Sequence, residues 1–152
     1  YNFRNAHLEG EGKTYVRAYH GDPYDPCPSL PLQFMNACFY EQPDWWRHLF
    51  NNDFKKLGDL CLGIPNAENR EFCFIGVGRM AAQSMDYDME KTKTECGRMP
   101  NPDSEMLCRS GGFLSIYDFT LNKRAAQKIC DDPSEEIRLR CLQKANLFGT
   151  AL

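Results

Sequence analysis

Apolar side chains return along most of this chain at intervals of three and four residues, the spacing that gives a helix one buried face. Trp46, Leu49, Phe50, Phe54, Leu57 and Leu60 form one such series, and Phe74, Val77, Met80, Ala81 and Met85 form another. A third runs through Phe113, Leu114 and Tyr117 and then Leu121, Ala125 and Ile129. The pattern predicts about six helices from near Asp44 to the C-terminus, plus a shorter one around Leu32 to Tyr40. Breaks are expected near Asn51-Asn52, Asp86-Tyr87-Asp88 and Phe119-Thr120, where Asp88 and Thr120 carry side chains suited to capping the next helix. No strand pattern competes with these helices.

Residues 1–31 read differently. Gly10, Gly12, Gly21 and the prolines at 23, 26, 28 and 31 exclude a long helix there. Lys13 to Tyr19 suits an extended segment. Tyr1, Phe3, Tyr15, Tyr19 and Tyr24 give this stretch aromatic surface that calls for a packing partner. The expected division is an irregular N-terminal arm or cap over 1–31 and a helical domain over 32–152.

Within the helical pattern the eight cysteines keep a strict register. Cys27, Cys61, Cys96 and Cys130 lie 34, 35 and 34 residues apart, and Cys38, Cys73, Cys108 and Cys141 lie 35, 35 and 33 apart. Two interleaved series on one period mark a repeat of about 35 residues, the length of a two-helix unit. Pro31, Pro65, Pro100 and Pro133 each fall inside a pair, where proline ends one helix and tolerates the first turn of the next. Asn66, Asn101 and Asp132-Pro133-Ser134-Glu135-Glu136 look like helix N-termini, with acids near the positive end of the dipole. Each first cysteine should therefore end a helix, and each second one should sit about two turns into the next.

Composition narrows the function. A chain of 152 residues with 42% hydrophobic and 26% charged residues suits one soluble domain. A formal charge of -3 offers no basic face for displacing counterions from nucleic acid, and no run is long and apolar enough to span a membrane. The first residue is Tyr1 rather than Met, which fits a processed product or a segment of something longer. Zinc sites usually place two cysteines within one turn, as C-x2-C, and nothing here has that spacing. No metal and no cofactor is expected. Disulfides remain, and with them an oxidising location: secreted, periplasmic or at the cell surface. Eight cysteines permit about a hundred pairings. The repeat favours the local one (Cys27–Cys38, Cys61–Cys73, Cys96–Cys108, Cys130–Cys141), because it reproduces itself in every unit.

The period, the paired helices and the recurring Cys-x2-3-Pro-x6-7-Cys element over about residues 27–152 resemble disulfide-clipped αα-repeat solenoids of the Sel1-like and tetratricopeptide-like kind. That resemblance implies an all-α fold, a short αα-repeat solenoid of about four units, and a binding role.

Other features admit two readings. Gly76-Val77-Gly78 loosely fits a dinucleotide fingerprint, but that motif needs a preceding strand, so close helix packing is favoured, with Gly111-Gly112 near the equivalent place. His20, Asp22 and Asp25 form either an acid–base cluster or, more simply, turn formers among prolines. Adjacent helical positions point about 100° apart, so Trp45 and Trp46 leave either one exposed ring beside Arg47 as an interface anchor or a lid over the first repeat. Phe148, in an apolar C-terminus, is a further interface candidate. The leading expectation is a non-catalytic, extracytoplasmic protein that binds a protein partner or assembles with itself. The rivals are an exported enzyme using His20 with Asp22 or Asp25, and a structural subunit of an extracellular filament or envelope complex.

Overall fold

The computed structural model describes the backbone of residues 8–10, 13–15 and 18–151 and the side chains of residues 18–146. A short antiparallel ribbon pairs β1 (Leu8–Gly10) with β2 (Lys13–Tyr15). After a 3-10 turn at Cys27–Ser29, the chain is all-α. Long helices α1 (Leu32–Leu49), α3 (Ala67–Ser84), α5 (Pro102–Thr120) and α7 (Glu135–Ala151) alternate with short ones: α2 (Phe54–Leu62), α4 (Met89–Cys96) and α6 (Lys123–Gln127).

Local chemistry sets most of these boundaries. Asp53, Asn66, Asp88, Asn101 and Asn122 each accept a backbone N–H from the first turn of the next helix, an arrangement that stabilises a helix by about 1 kcal/mol. Asn101 and Ser104 bond reciprocally as a capping box. The α1–α2 and α3–α4 turns share one geometry, with positive φ at Asn51 and Asn52 and again at Asp86 and Tyr87. In both, the second of these residues donates its N–H to a carbonyl five residues back, Asn52 to Arg47 and Tyr87 to Ala82, each at 2.8 Å.

Two expected boundaries fall elsewhere. The helices placed around Leu32–Tyr40 and from Asp44 are one, because Pro43 lies inside α1. A proline there forfeits a backbone bond, but its ring is fully buried and packs beside Gly76 of α3, so tertiary packing outweighs the loss. Thr120 does not cap α6. It is the last residue of α5, its hydroxyl donates to Ile116 O at 2.7 Å, and Asn122 supplies the cap.

All four disulfides are local: Cys27–Cys38, Cys61–Cys73, Cys96–Cys108 and Cys130–Cys141, with Cα separations of 5.4 to 5.6 Å. The second cysteine is the seventh residue of α1, α3, α5 and α7 alike. Each bridge thus ties a long helix, two turns in, to the end of the segment before it.

The long helices lie side by side in chain order and run parallel. Asn69 of α3 donates to Asn36 of α1 at 2.6 Å near their starts, and Arg47 reaches Ser84 at 3.2 Å near their ends. Glycine allows the close approach. A Cβ on Gly76 would lie 2.1 Å from Tyr40 O, one on Gly111 1.9 Å from Ile75 O, and one on Gly78 1.7 Å from Cys108 O. These backbones touch, so the glycines serve helix packing. The short helices and the 3-10 turn Lys128–Cys130 pack against the long ones, α2 on α3, α4 on α3 and α5, and the turn on α5 and α7. Trp46, Leu57, Ile75, Val77, Met80 and Ile129 are essentially inaccessible between them, each contributing roughly 1.5–3 kcal/mol of burial.

Candidate functional site

No cysteine is a free thiol, so none is available as a nucleophile or redox group while the bridges stand. The first sequence candidates behave otherwise than an exposed anchor would. Trp45 is 5% exposed and Trp46 0%. The Trp46 indole N–H donates to Pro23 O at 2.6 Å, and Tyr24 meets its ring edge-on. Tyr19 packs edge-on against Trp45. The arm is what buries two neighbouring rings on different helix faces, and it does so as a lid over α1. Arg47 is largely covered, paired with Asp44 at 3.0 Å and bonded to Ser84. These three residues therefore do not form the exposed anchor. The Phe148 side chain lies outside the described residues.

Gln42, fully buried, donates to Pro23 O and Asp25 O and fixes the same loop, while the Tyr24 hydroxyl donates to Leu60 O at 2.9 Å. Burial, reinforced by the nearby Asp22 carboxylate, raises the Tyr24 pKa above 10.0. Asp22 accepts the Tyr24 backbone N–H at 2.9 Å, as a turn former does. His20, Asp22 and Asp25 are all exposed. Among the described residues no cluster of three metal-ligating side chains occurs.

Among the clefts lined by described residues, two indent the helical body, and none of His20, Asp22 and Asp25 lines these two. One opens between the middle of α1 and the C-terminal parts of α3 and α5. Its volume is about 280 Å³ and its walls are Tyr40, Arg79, Tyr87, Leu114, Ser115, Asp118 and Phe119. Side chains from α1, α3 and α5 line it together, so the surface is concave at this point. Arg79 lies over the Tyr40 ring, 4.5 Å from its centroid, and donates to Glu41 at 2.7 Å. Its Nε is buried and has no partner among the described residues. Burial raises the Tyr40 pKa above 10.0; Arg79 opposes the shift, while Glu41 and Asp118 add to it.

Across the mouth, Tyr87 and Phe119 stack at 3.9 Å with their planes 8° apart. Phe119 is 65% exposed, and Leu121 just beyond it is 81% exposed. Leu121 belongs to the expected buried stripe, yet it caps α5 with φ 57 and faces water. A leucine is strained in that left-handed conformation, which favours Gly or Asn.

The second cleft, about 450 Å³, lies between the N-terminal halves of α3 and α5. Its charged groups are engaged. Arg70 donates to Ile64 O and Pro65 O, Glu71 pairs with Lys144 at 2.8 Å, and Asp103 pairs with Arg140 at 3.1 Å. Of the two, only the α1–α3–α5 cleft couples an apolar rim with a carboxylate, Asp118, that makes no hydrogen bond or ion pair with another described residue. Sequence reasoning missed Tyr40, Arg79, Tyr87, Asp118 and Phe119 as a site. The signal that would have found three of them is spacing: Tyr40, Arg79 and Asp118 are each 39 residues apart, the repeat period plus about one helical turn.

No family model matches the chain, and neither a curated protein nor a solved structure matches it.

Proposed function

We propose that this chain is a non-catalytic, extracytoplasmic helical-repeat protein, a short αα-repeat solenoid of about four units that binds a protein partner on its long-helix face. Four disulfides with no free thiol suit an oxidising compartment. No helix among the described residues is long and apolar enough to cross a membrane.

One observation carries the binding reading. Phe119, 65% exposed, lines a concave cleft and stacks on Tyr87, and two residues on, Leu121 is exposed in a left-handed conformation that costs stability. Scattered exposed apolar residues need no explanation; an exposed aromatic on a concave cleft, followed closely by a leucine held exposed at a strained position, does. Catalysis by His20 with Asp22 or Asp25 draws no comparable support: all three are exposed, and Asp22 serves as a turn former.

The test is selection of a displayed random-peptide library on the oxidised protein, counter-screened with Phe119→Ser and Leu121→Asn. Peptides should be enriched on the wild type and lose about tenfold or more in affinity on either variant. Enrichment of peptides indifferent to both substitutions, or of none, refutes the proposal. Dimers or larger species that dissociate on Phe119→Ser would identify the partner as a second copy, the filament or envelope subunit of the rival reading.

A further inference from the structure

We propose that the α1–α3–α5 cleft recognises a basic side chain, lysine or arginine, presented by that partner; this rests on reading the cleft as a binding surface. The charge balance points to a cation. The cleft and its immediate support hold one arginine, Arg79, and two carboxylates, Glu41 and Asp118. Arg79 is already committed, with Glu41 on its Nη2 and the Tyr40 ring against its face. An anion arriving there would meet a neutralised guanidinium and a neighbouring carboxylate. Asp118 is the charge left over, exposed on the wall beside Phe119.

The apolar surface has the shape the rest of a basic residue needs. Lysine and arginine lay their methylene stems on hydrophobic walls and keep the charged end near carboxylates or aromatic faces. Leu114 and the Tyr87–Phe119 stack supply the wall, and Asp118 with the Ser115 hydroxyl supplies the polar end. A volume of about 280 Å³ is enough to admit one long side chain. A neutral apolar side chain would gain the wall and leave Asp118 without a counter-charge. An acidic one would face Asp118 across the cleft.

The experiment is an NMR titration of the isotope-labelled, oxidised 152-residue chain. N-acetyl-lysinamide and N-acetyl-argininamide are compared with neutral N-acetyl-norleucinamide and acidic N-acetyl-aspartamide. Shifts should centre on Tyr40, Ser115, Asp118 and Phe119, with at least one basic amide binding about fivefold or more tightly than norleucinamide. Asp118→Asn should lower that affinity about threefold to fivefold, while Asp59→Asn, an exposed acid outside the cleft, should leave it unchanged. Equal binding of norleucinamide, indifference to Asp118→Asn, or preferential binding of the aspartamide overturns the inference. The two proposals fail separately. Cleft-dependent peptides without basic residues would remove the charge preference and leave the binding surface; basic amides bound through Asp118, with no rim-dependent peptide, would do the reverse.

Discussion

Replacing Gly78 with alanine tests whether α3 and α5 meet backbone to backbone. The new Cβ would stand 1.7 Å from Cys108 O and 2.9 Å from the Gly112 nitrogen. Comfortable contact needs roughly 3.2–3.5 Å, so the helices would have to part by roughly 1.5 Å or more. Cys108 cannot easily yield, because its side chain is bridged to Cys96 on α4. Overpacking of a tight core typically costs about 1–3 kcal/mol, and a clash with anchored backbone belongs at the upper end. Alanine recovers about 1 kcal/mol of helix propensity over glycine. The net expectation is a loss of about 2 kcal/mol or more, a fall in Tm of roughly 4–8 °C for a chain of this size.

Two other glycines calibrate that figure. At Gly58 the added Cβ would meet the flexible Met99 side chain at 3.0 Å, so clash and propensity should nearly cancel. At Gly97 the nearest atom is Thr94 O at 3.2 Å and φ is −63, so alanine should be neutral or stabilising by up to about 1 kcal/mol. Guanidinium denaturation of the three variants, followed by circular dichroism without reductant, ranks them. Should Gly78→Ala prove as stable as the wild type, the tight α3–α5 contact does not exist.

The same geometry sets three further outcomes. Removing one bridge as Cys61→Ala/Cys73→Ala frees a loop of 12 residues, so stability measured by denaturation should fall by about 3 kcal/mol on the chain-entropy account; a loss below about 1 kcal/mol would contradict it. Tyr24 and Tyr40 both hold their protons more tightly in the folded state than the unfolded value of 10.0, so the stability they confer is complete below pH 10 and drains away as pH rises past it. The Tyr24→Phe/Tyr40→Phe pair should therefore lose some stability at neutral pH, through the missing bond to Leu60 O, yet show a shallower decline above pH 10 in pH-dependent melts. Leu121→Gly should stabilise the fold by about 1 kcal/mol by relieving the left-handed φ while weakening selected peptides. If it destabilises the chain, Leu121 contributes packing that its 81% exposure conceals.

What could be read in the sequence was what short-range chemistry decides. A pairing within each unit repeats itself along the chain, so the register favoured the four local bridges that the structure has. Side-chain caps act over three residues, and Asn66, Asp88 and Asn101 do cap helices. Errors and undecided alternatives arose where a distant segment decides. Pro43 stays helical because α3 packs on it, and Trp45 and Trp46 are both buried because the loop around Pro23 and Tyr24 folds over them. Leu121 fits the apolar period, yet a single left-handed residue turns it outward. The cleft was illegible for the same reason: its residues come from three helices and a turn, and only the packing brings them together.

That packing also explains why the cleft sits where it does. Three residues past the second cysteine of each unit stand Glu41, Gly76, Gly111 and Lys144. In α3 and α5 this residue is the one that meets a carbonyl of the preceding long helix, Tyr40 O or Ile75 O, and only glycine fits. Helix α1 has no preceding long helix, so Glu41 is free to bind Arg79 instead. Helix α7 does come after one, but Lys144 cannot occupy such a contact. Its ammonium crosses to Glu71 on α3, and the Ser110 hydroxyl bridges from α5 to Cys141 O at 3.0 Å. The backbone-to-backbone joints therefore hold α1, α3 and α5, the same three helices that wall the cleft. A recognition site gains from walls whose spacing is fixed before the ligand arrives, and glycine against carbonyl fixes it more tightly than side chains of variable rotamer can.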